Sequence, residues 1–294
     1  MTTKDKGGYF EGWYFKHRAA GRTLALIPGM HRDAEGRLAA FLQVAADGFA
    51  FPIPYDFSLY HTRRGRLGIA LGNNLFGERG VRLDVDTPGL RLKGVIRYGP
   101  LTPLKGDIMG PFALAPGMEC RHGVISMGHP LAGRVECNGE IWDFTGGTGY
   151  IETDRGRSFP RRYLWTQCNE FARRGDGVMA SAAVIPYGGL QFPGCIAAVI
   201  VGGREYRLAT YTGARIRRWN ENGLVLQRGD RRLTVEAAPG AVRSGQSLLA
   251  PRGGAMDRRI REAPACPVHY LFEAGGRILL DETSAGASFE YDGA

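Results

Sequence analysis

The stretch Gly149–Phe171, GYIETDRGRSFPRRYLWTQCNEF, sets three acids, four arginines and a Trp-x-Gln-Cys-Asn run within twenty-three positions. On a strand through Tyr150, Glu152 and Asp154 point the same way, which leaves a shared-proton pair open. An acid beside Arg155, Arg157, Arg161 and Arg162 is ordinarily an ion pair with a depressed pKa. That reading assigns Asp154 to structure and leaves Glu152 open between ion pair and general acid. A second strand puts Trp165, Gln167 and Asn169 on one face and Leu164, Thr166 and Cys168 on the other. An indole among amides suits a pocket wall, because its N–H needs a partner; a surface strand is the plain alternative.

Cys120, His122 and His129 have the side chains of zinc ligands. Cys120 and His122 share a strand face, but His129 has the opposite parity and no second compact ligand pair follows. The sequence therefore predicts neither a metal nor a cofactor, and His122 and His129 are read as pocket hydrogen-bonders or proton shuttles. Cys168 has no nucleophile signature around it and reads as a small buried residue. GGTGYI, at Gly146, lacks the strand-turn-helix setting of a phosphate loop.

The elements that must position these groups are strands. Period-2 patterning broken by two-residue turns recurs through the chain, with hairpins expected at Asp47-Gly48, Asn138-Gly139, Gly202-Gly203, Gly229-Asp230 and Gly275-Gly276. In RVECNGEIWDF the turn would pair Val135 with Trp142 and Arg134 with Asp143. GGAMDRRIREA, near Met256, is the one stretch read as helix. GPLTPLKGDIMGPFALAPG has neither period and places a domain boundary near Gly117, giving units 1–117 and 118–294. The fold class is all-β, with two antiparallel up-and-down β-barrels and at most one or two short helices. Such barrels hold a small apolar ligand at the mouth.

Of the 294 residues, 44% are hydrophobic and 23% charged, ordinary for a globular protein. The net charge of +9 raises nucleic acid as a partner, yet the arginines are scattered through turns and form no stripe, so no nucleic-acid partner is expected. No apolar run is long enough for a transmembrane helix, and peripheral contact with a membrane stays open. Five cysteines without paired spacing read as free thiols in a reducing compartment, so a cytoplasmic location is expected. Oligomeric state is not legible.

YFEGWYFK (Tyr9 to Lys16), the Gly149–Phe171 stretch, and GDIMGPF followed by MECRHGVISMGHPLAG together resemble the tocopherol cyclase-like family, on its bacterial side. Glu152, Phe159-Pro160, Trp165, Gln167, Cys168 and Asn169 match family motif positions, whereas Thr153, Asp154 and Arg155 replace its Lys-Asn-Trp. The family is in turn similar to carotenoid hydratases and lipocalin-like two-domain β proteins. The resemblance implies an acid-dependent cyclase or isomerase acting on an apolar prenylated or polyene small molecule. Its acid would be a carboxyl kept protonated by burial, with aromatic walls for the cation. Glu152, Glu119 and Glu11 are then the candidate carboxyls and His122 a proton carrier. Trp13, Tyr14, Phe159 and Trp165 would be the walls, with His129, Gln167 and Asn169 as further ligand contacts. A lipocalin-like carrier of a hydrophobic ligand, without catalysis, is the alternative.

Overall fold

Along Gly80–Thr87 and along Arg231–Ala237, buried and exposed residues alternate almost one by one, the signature of strands with one face on a core. The computed structural model describes residues 7–293 and places most of them in strands, some of which, such as Tyr163–Cys168, are buried on both faces. The first sheet contains β1 (Tyr9–Ala19), β2 (Arg22–Arg32), β3 (Leu38–Ala46), β4 (Phe49–Tyr55), β5 (Tyr60–Thr62), β6 (Gly68–Leu71), β7 (Asn74–Gly77), β8 (Gly80–Thr87), β9 (Leu90–Tyr98), β10 (Cys120–Cys137), β11 (Glu140–Asp143) and β12 (Thr148–Gly156). The second contains β13 (Tyr163–Cys168), β14 (Gly177–Tyr187), β15 (Leu190–Val201), β16 (Arg204–Ala209), β17 (Arg215–Asn220), β18 (Gly223–Arg228), β19 (Arg231–Ala237), β20 (Gln246–Arg252), β21 (Ala255–Ala274) and β22 (Arg277–Asp292). Three short 3-10 turns, Phe57–Leu59, Gly110–Leu114 and Thr210–Thr212, complete the described elements.

Both sheets are antiparallel meanders closed by the same device. In the first, the order is β4-β3-β2-β1-β12-β10-β9-β8-β7-β6-β5, with β11 on β10; in the second it is β16-β15-β14-β13-β22-β21-β19-β18-β17, with β20 on β21. The last strand of each sheet thus lies against its first, drawing the ends of the meander together. Each sheet curls round its own core. Phe15, Leu26, Leu42, Leu83, Leu92 and Val135 fill the first barrel; Leu164, Val199, Leu226, Val235, Phe272 and Phe289 fill the second. A third cluster, rich in aromatics, lies between them: Tyr14 and Tyr150 come from one sheet, Tyr163, Trp165, Met179 and Ile260 from the other. Strand alternation makes this division. Phe15 points into the first barrel while its neighbour Tyr14 points out to the interface.

The expected hairpins form. At Asn138-Gly139 both residues have positive φ, 49° and 89°, as a type I′ turn requires, and Val135 pairs with Trp142 and Arg134 with Asp143. Gly202-Gly203, at 59° and 75°, turns β15 into β16. The change of sheet falls between Gly156 and Tyr163 rather than at Gly117, which lies in the connection from β9 to β10. That connection covers the interface: Tyr211 donates to the Ile108 carbonyl at 2.9 Å and Arg207 to that of Asp107 at 2.7 Å. The helix expected near Met256 is instead the start of β21. Its inward positions include Arg258 and Glu262, which hide the alternation; Arg258 is absorbed by the carbonyls of Pro160 and Arg161 and by Asp292.

Five cysteines are unpaired thiols. No helix among the described residues is long and apolar enough to cross a membrane.

Candidate functional site

Between the two barrels lies a cavity of about 210 Å³, lined mainly by apolar side chains and reached by several acids, far more space than one water needs. Its residues come from two rows that strand pairing builds. Across the first sheet, Tyr14 on β1 is the partner of Glu152 on β12, and His122 on β10 is the partner of Asp154. Across the second, Trp165 on β13 is the partner of Glu290 on β22, which in turn pairs with Glu262 on β21. Register partners share a face, so each row presents its side chains to the opposite sheet. Hydrogen bonds cross the gap, among them that of the Trp165 indole N–H to Glu152 and that of the Tyr14 hydroxyl to Glu262.

Glu152 is 5% exposed. Its Oε2 accepts from Tyr150 Oη at 2.5 Å and from Trp165 Nε1 at 3.2 Å, and His122 Nε2 lies 3.5 Å away. Burial pushes this carboxyl up to about 7; His122 opposes the shift and Asp154 adds to it. His122 donates from Nδ1 to Asp154 Oδ1 at 3.0 Å. Burial alone would lower the imidazole, but the Asp154 carboxylate, joined by Glu152 once that group ionises, overcomes it and holds it up to about 9. The arrangement is therefore an imidazolium clamped by Asp154 beside a carboxyl that retains its proton near neutrality.

The arginine pairing expected for these two acids does not occur. Arg155 pairs in register with Glu11 and Arg121, on the face opposite Glu152 and Asp154, and among the described residues neither acid makes an ion pair with an arginine. Strand parity separates them.

The second sheet adds two acids that sequence reasoning missed. Glu262 is 2% exposed and raised to about 7 by burial, with the Tyr14 hydrogen bond and Lys16 acting against the rise. Glu290 accepts from Tyr163, and burial, followed by repulsion from Asp292, holds it well above the carboxylate range. Lys16, fully buried, is brought down to about 8 chiefly by desolvation. It donates to the Gly286 carbonyl at 2.7 Å, Ser288 Oγ at 2.8 Å and Gln167 Oε1 at 3.2 Å. The signal that could have found these acids is single charged residues at inward positions of apolar strands, as in SFEYD around Glu290.

The other residues singled out in the sequence divide. Trp13, Tyr14, Phe159 and Trp165 line the cavity; Phe159 packs edge-on against Phe10 and Tyr163. Glu119 lines its rim and is exposed. Glu11 is half-buried at the end of the first barrel, away from the cavity, where burial raises its pKa and Arg155 opposes. His129 is in the first barrel too, 3.0 Å from Ser126 Oγ, with its ring tilted 50° to that of Tyr98 at 4.4 Å between centres; burial holds it down to about 3. Two register shifts in β10 aim it there. Gln167 and Asn169 share the face of Trp165 but join the sheets instead of lining the cavity. Gln167 takes Lys16, and Asn169 donates to the carbonyls of Gly149 and Met127 at 2.8 and 3.3 Å.

The trio Cys120, His122 and His129 is not assembled, since His129 faces the other way. His122, Glu152 and Asp154 instead each bring one ligand atom within 4.8 Å of the others, a spacing that could also hold a divalent cation.

Residues 113–213 match the family described as tocopherol cyclase-like. A probable chloroplastic tocopherol cyclase of Oryza sativa subsp. japonica is 25% identical over 222 residues, 68% of this chain and 45% of the rice protein. The chain thus spans under half the length of that relative. Among solved structures, CghA with Sch210972 superposes with a TM-score of 0.59 at 12% identity, covering 97% of this chain and 89% of the other. Kievitone hydratase from Nectria haematococca gives 0.54 at 10% identity, covering 98% and 89%. These two establish a shared two-barrel fold. The resemblance carried by the sequence motifs is borne out, and the matched segment contains Glu119, His122, Glu152 and Trp165.

Proposed function

Taking the tocopherol cyclase-like resemblance as premise, we propose that this chain is an enzyme of the cyclase or hydratase kind that protonates an alkene of an apolar small molecule. The observation that carries the reading is Glu152: a carboxyl buried in the wall of an apolar cavity, anchored by Tyr150 and Trp165 and 3.5 Å from His122.

Protonating an unactivated alkene needs an acid that still has its proton near pH 7 and a site that excludes water. Glu152, raised to about 7, meets the first need; Trp165, Phe159 and Met109 around it meet the second. The O–H of Glu152 gives its proton to the less substituted alkene carbon, leaving a tertiary cation beside the faces of Trp165 and Tyr163. An oxygen nucleophile then forms the C–O bond and loses its proton. In a cyclase this oxygen is a phenol of the same molecule; in a hydratase it is water. The carboxylate of Glu152, the base left by the first step, takes that proton back, and His122 with Asp154 holds it in position between steps. No electrons change hands. Kievitone hydratase, by its name an enzyme of hydration, shares the fold, which supports placing both captures within reach of one architecture.

Incubation with prenylated hydroquinols in deuterated buffer tests the proposal. The expected product carries one solvent deuterium on the former alkene carbon; a mass unchanged apart from deuterium denotes cyclisation, and one water more denotes hydration. Tight binding of such compounds with no incorporation would make the chain a carrier instead.

A further inference from the structure

A second cavity, of about 340 Å³, opens at the end of the first barrel, lined by Tyr9, Arg32, Met118, Arg121, Arg155, Arg157 and the glycine backbone at 7, 8 and 156. It has a composition opposite to the first: four guanidinium groups and no acid among its lining residues. Strand pairing explains why they meet. Arg32 on β2 is the register partner of Tyr9 on β1, and Arg155 on β12 lies between Glu11 on β1 and Arg121 on β10. Partners share a face, so these three arginines come to one end of the barrel together, and Arg157 joins them just past the end of β12. Arg155, Arg121 and Arg32 all act on the hydroxyl of Tyr9, opposing the rise that burial gives it.

Charge within the cluster is not balanced from within. None of the four arginines makes an ion pair among the described residues. Arg32 donates to the Gly7 carbonyl at 3.1 Å and Arg121 to that of Ala115 at 3.0 Å, both neutral acceptors. Glu11 is the one acid paired with them in register, and Asp33, just past the end of β2, is taken by Arg37. Two arginines placed directly opposite one another, as Arg121 and Arg155 are, repel. A multidentate anion relieves that repulsion, and guanidinium groups suit oxyanions because each offers two parallel N–H donors.

We propose that this arginine-lined mouth of the first barrel binds an oxyanion of the phosphate class, either free in solution or as the headgroup of an anionic lipid. The site is independent of the chemistry proposed for Glu152, although Met118 borders both cavities.

Calorimetric titration of the full chain with inorganic phosphate at low ionic strength tests it, alongside flotation with phosphatidylcholine vesicles with and without phosphatidic acid. The comparison variants are R121A/R155A and, losing equal charge elsewhere, R215A/R259A. Saturable phosphate binding that weakens at least about tenfold in R121A/R155A and under about twofold in R215A/R259A supports the site with a soluble anion as its source. Flotation only with phosphatidic acid, lost in R121A/R155A alone, supports it with a lipid source. Should R121A/R155A fold poorly, the arginine Nε–Hε NMR signals of the wild-type chain, followed through the same phosphate titration, give the answer directly. Absence of phosphate binding and of flotation, or equal losses in both variants, overturns the proposal.

Discussion

Trp165, on the first strand of the second sheet, donates its indole N–H at 3.2 Å to Glu152, on the last strand of the first. The acid and part of its apolar wall are therefore held by opposite barrels, and the cavity exists only while the two are packed together.

Replacing Trp165 with Phe keeps the ring but removes this bond. Turnover of a competent substrate is expected to fall by roughly ten- to a hundredfold, because small displacements of a reacting group are costly, while circular dichroism remains that of the wild type. Unchanged turnover would mean that the bond has no role in placing Glu152.

The two histidines offered by the sequence separate cleanly. His122 touches Asp154 and approaches Glu152, whereas His129 is enclosed with Tyr98 in the first barrel. H122Q is expected to lower turnover by about ten- to a hundredfold and H129Q by less than about threefold. Equal losses in kcat, at equal thermal stability, would contradict the placement.

Glu262 carries a pH signature in stability. Its folded-state pKa is raised to about 7, above the unfolded value near 4.5, so its contribution is fully present below about pH 4.5 and is lost as pH rises through about 7. His122, raised to about 9, loses its contribution later, between about 6.5 and 9. His17 and His129, lowered to about 4 and 3, act in the opposite direction below pH 6.5. Urea midpoints of wild type and E262Q between pH 5 and 8 isolate the first effect. The variant should lose less stability across that range; parallel curves would show that Glu262 titrates alike in both states.

His122, Glu152 and Asp154 also have the spacing of a cation site. If they act as an acid and its clamp, dialysis against EDTA leaves turnover within about twofold and added zinc inhibits it by occupying the acid. Loss on dialysis with recovery on adding zinc or manganese would assign the three residues to a metal.

The fold was legible because turn chemistry and alternation agreed: Asn138-Gly139 and Gly202-Gly203 turn where their residue types require. It failed at Met256, where Arg258 and Glu262 occupy inward positions and break the apolar rhythm of a true strand. Trp165 and Glu152 could be singled out from one stretch because they lie on either side of the same connection. Their partners could not. Glu262 and Glu290 come from the far end of the chain, and only sheet pairing brings them to the cavity. Strand parity correctly grouped Gln167 and Asn169 with Trp165, but parity names a face and not what covers it; here the first barrel does. Glu11 shows the same limit from the other side, since its face belongs to the barrel interior and its neighbour's to the interface.

Turnover of E152Q bears most directly on the central claim. The amide preserves the size and the acceptor oxygen for Tyr150 and Trp165 but has no acidic proton, so kcat is expected to fall by about 10²–10⁴ with ligand affinity little changed. A variant that works within a few-fold of the wild type would show that the proton comes from elsewhere.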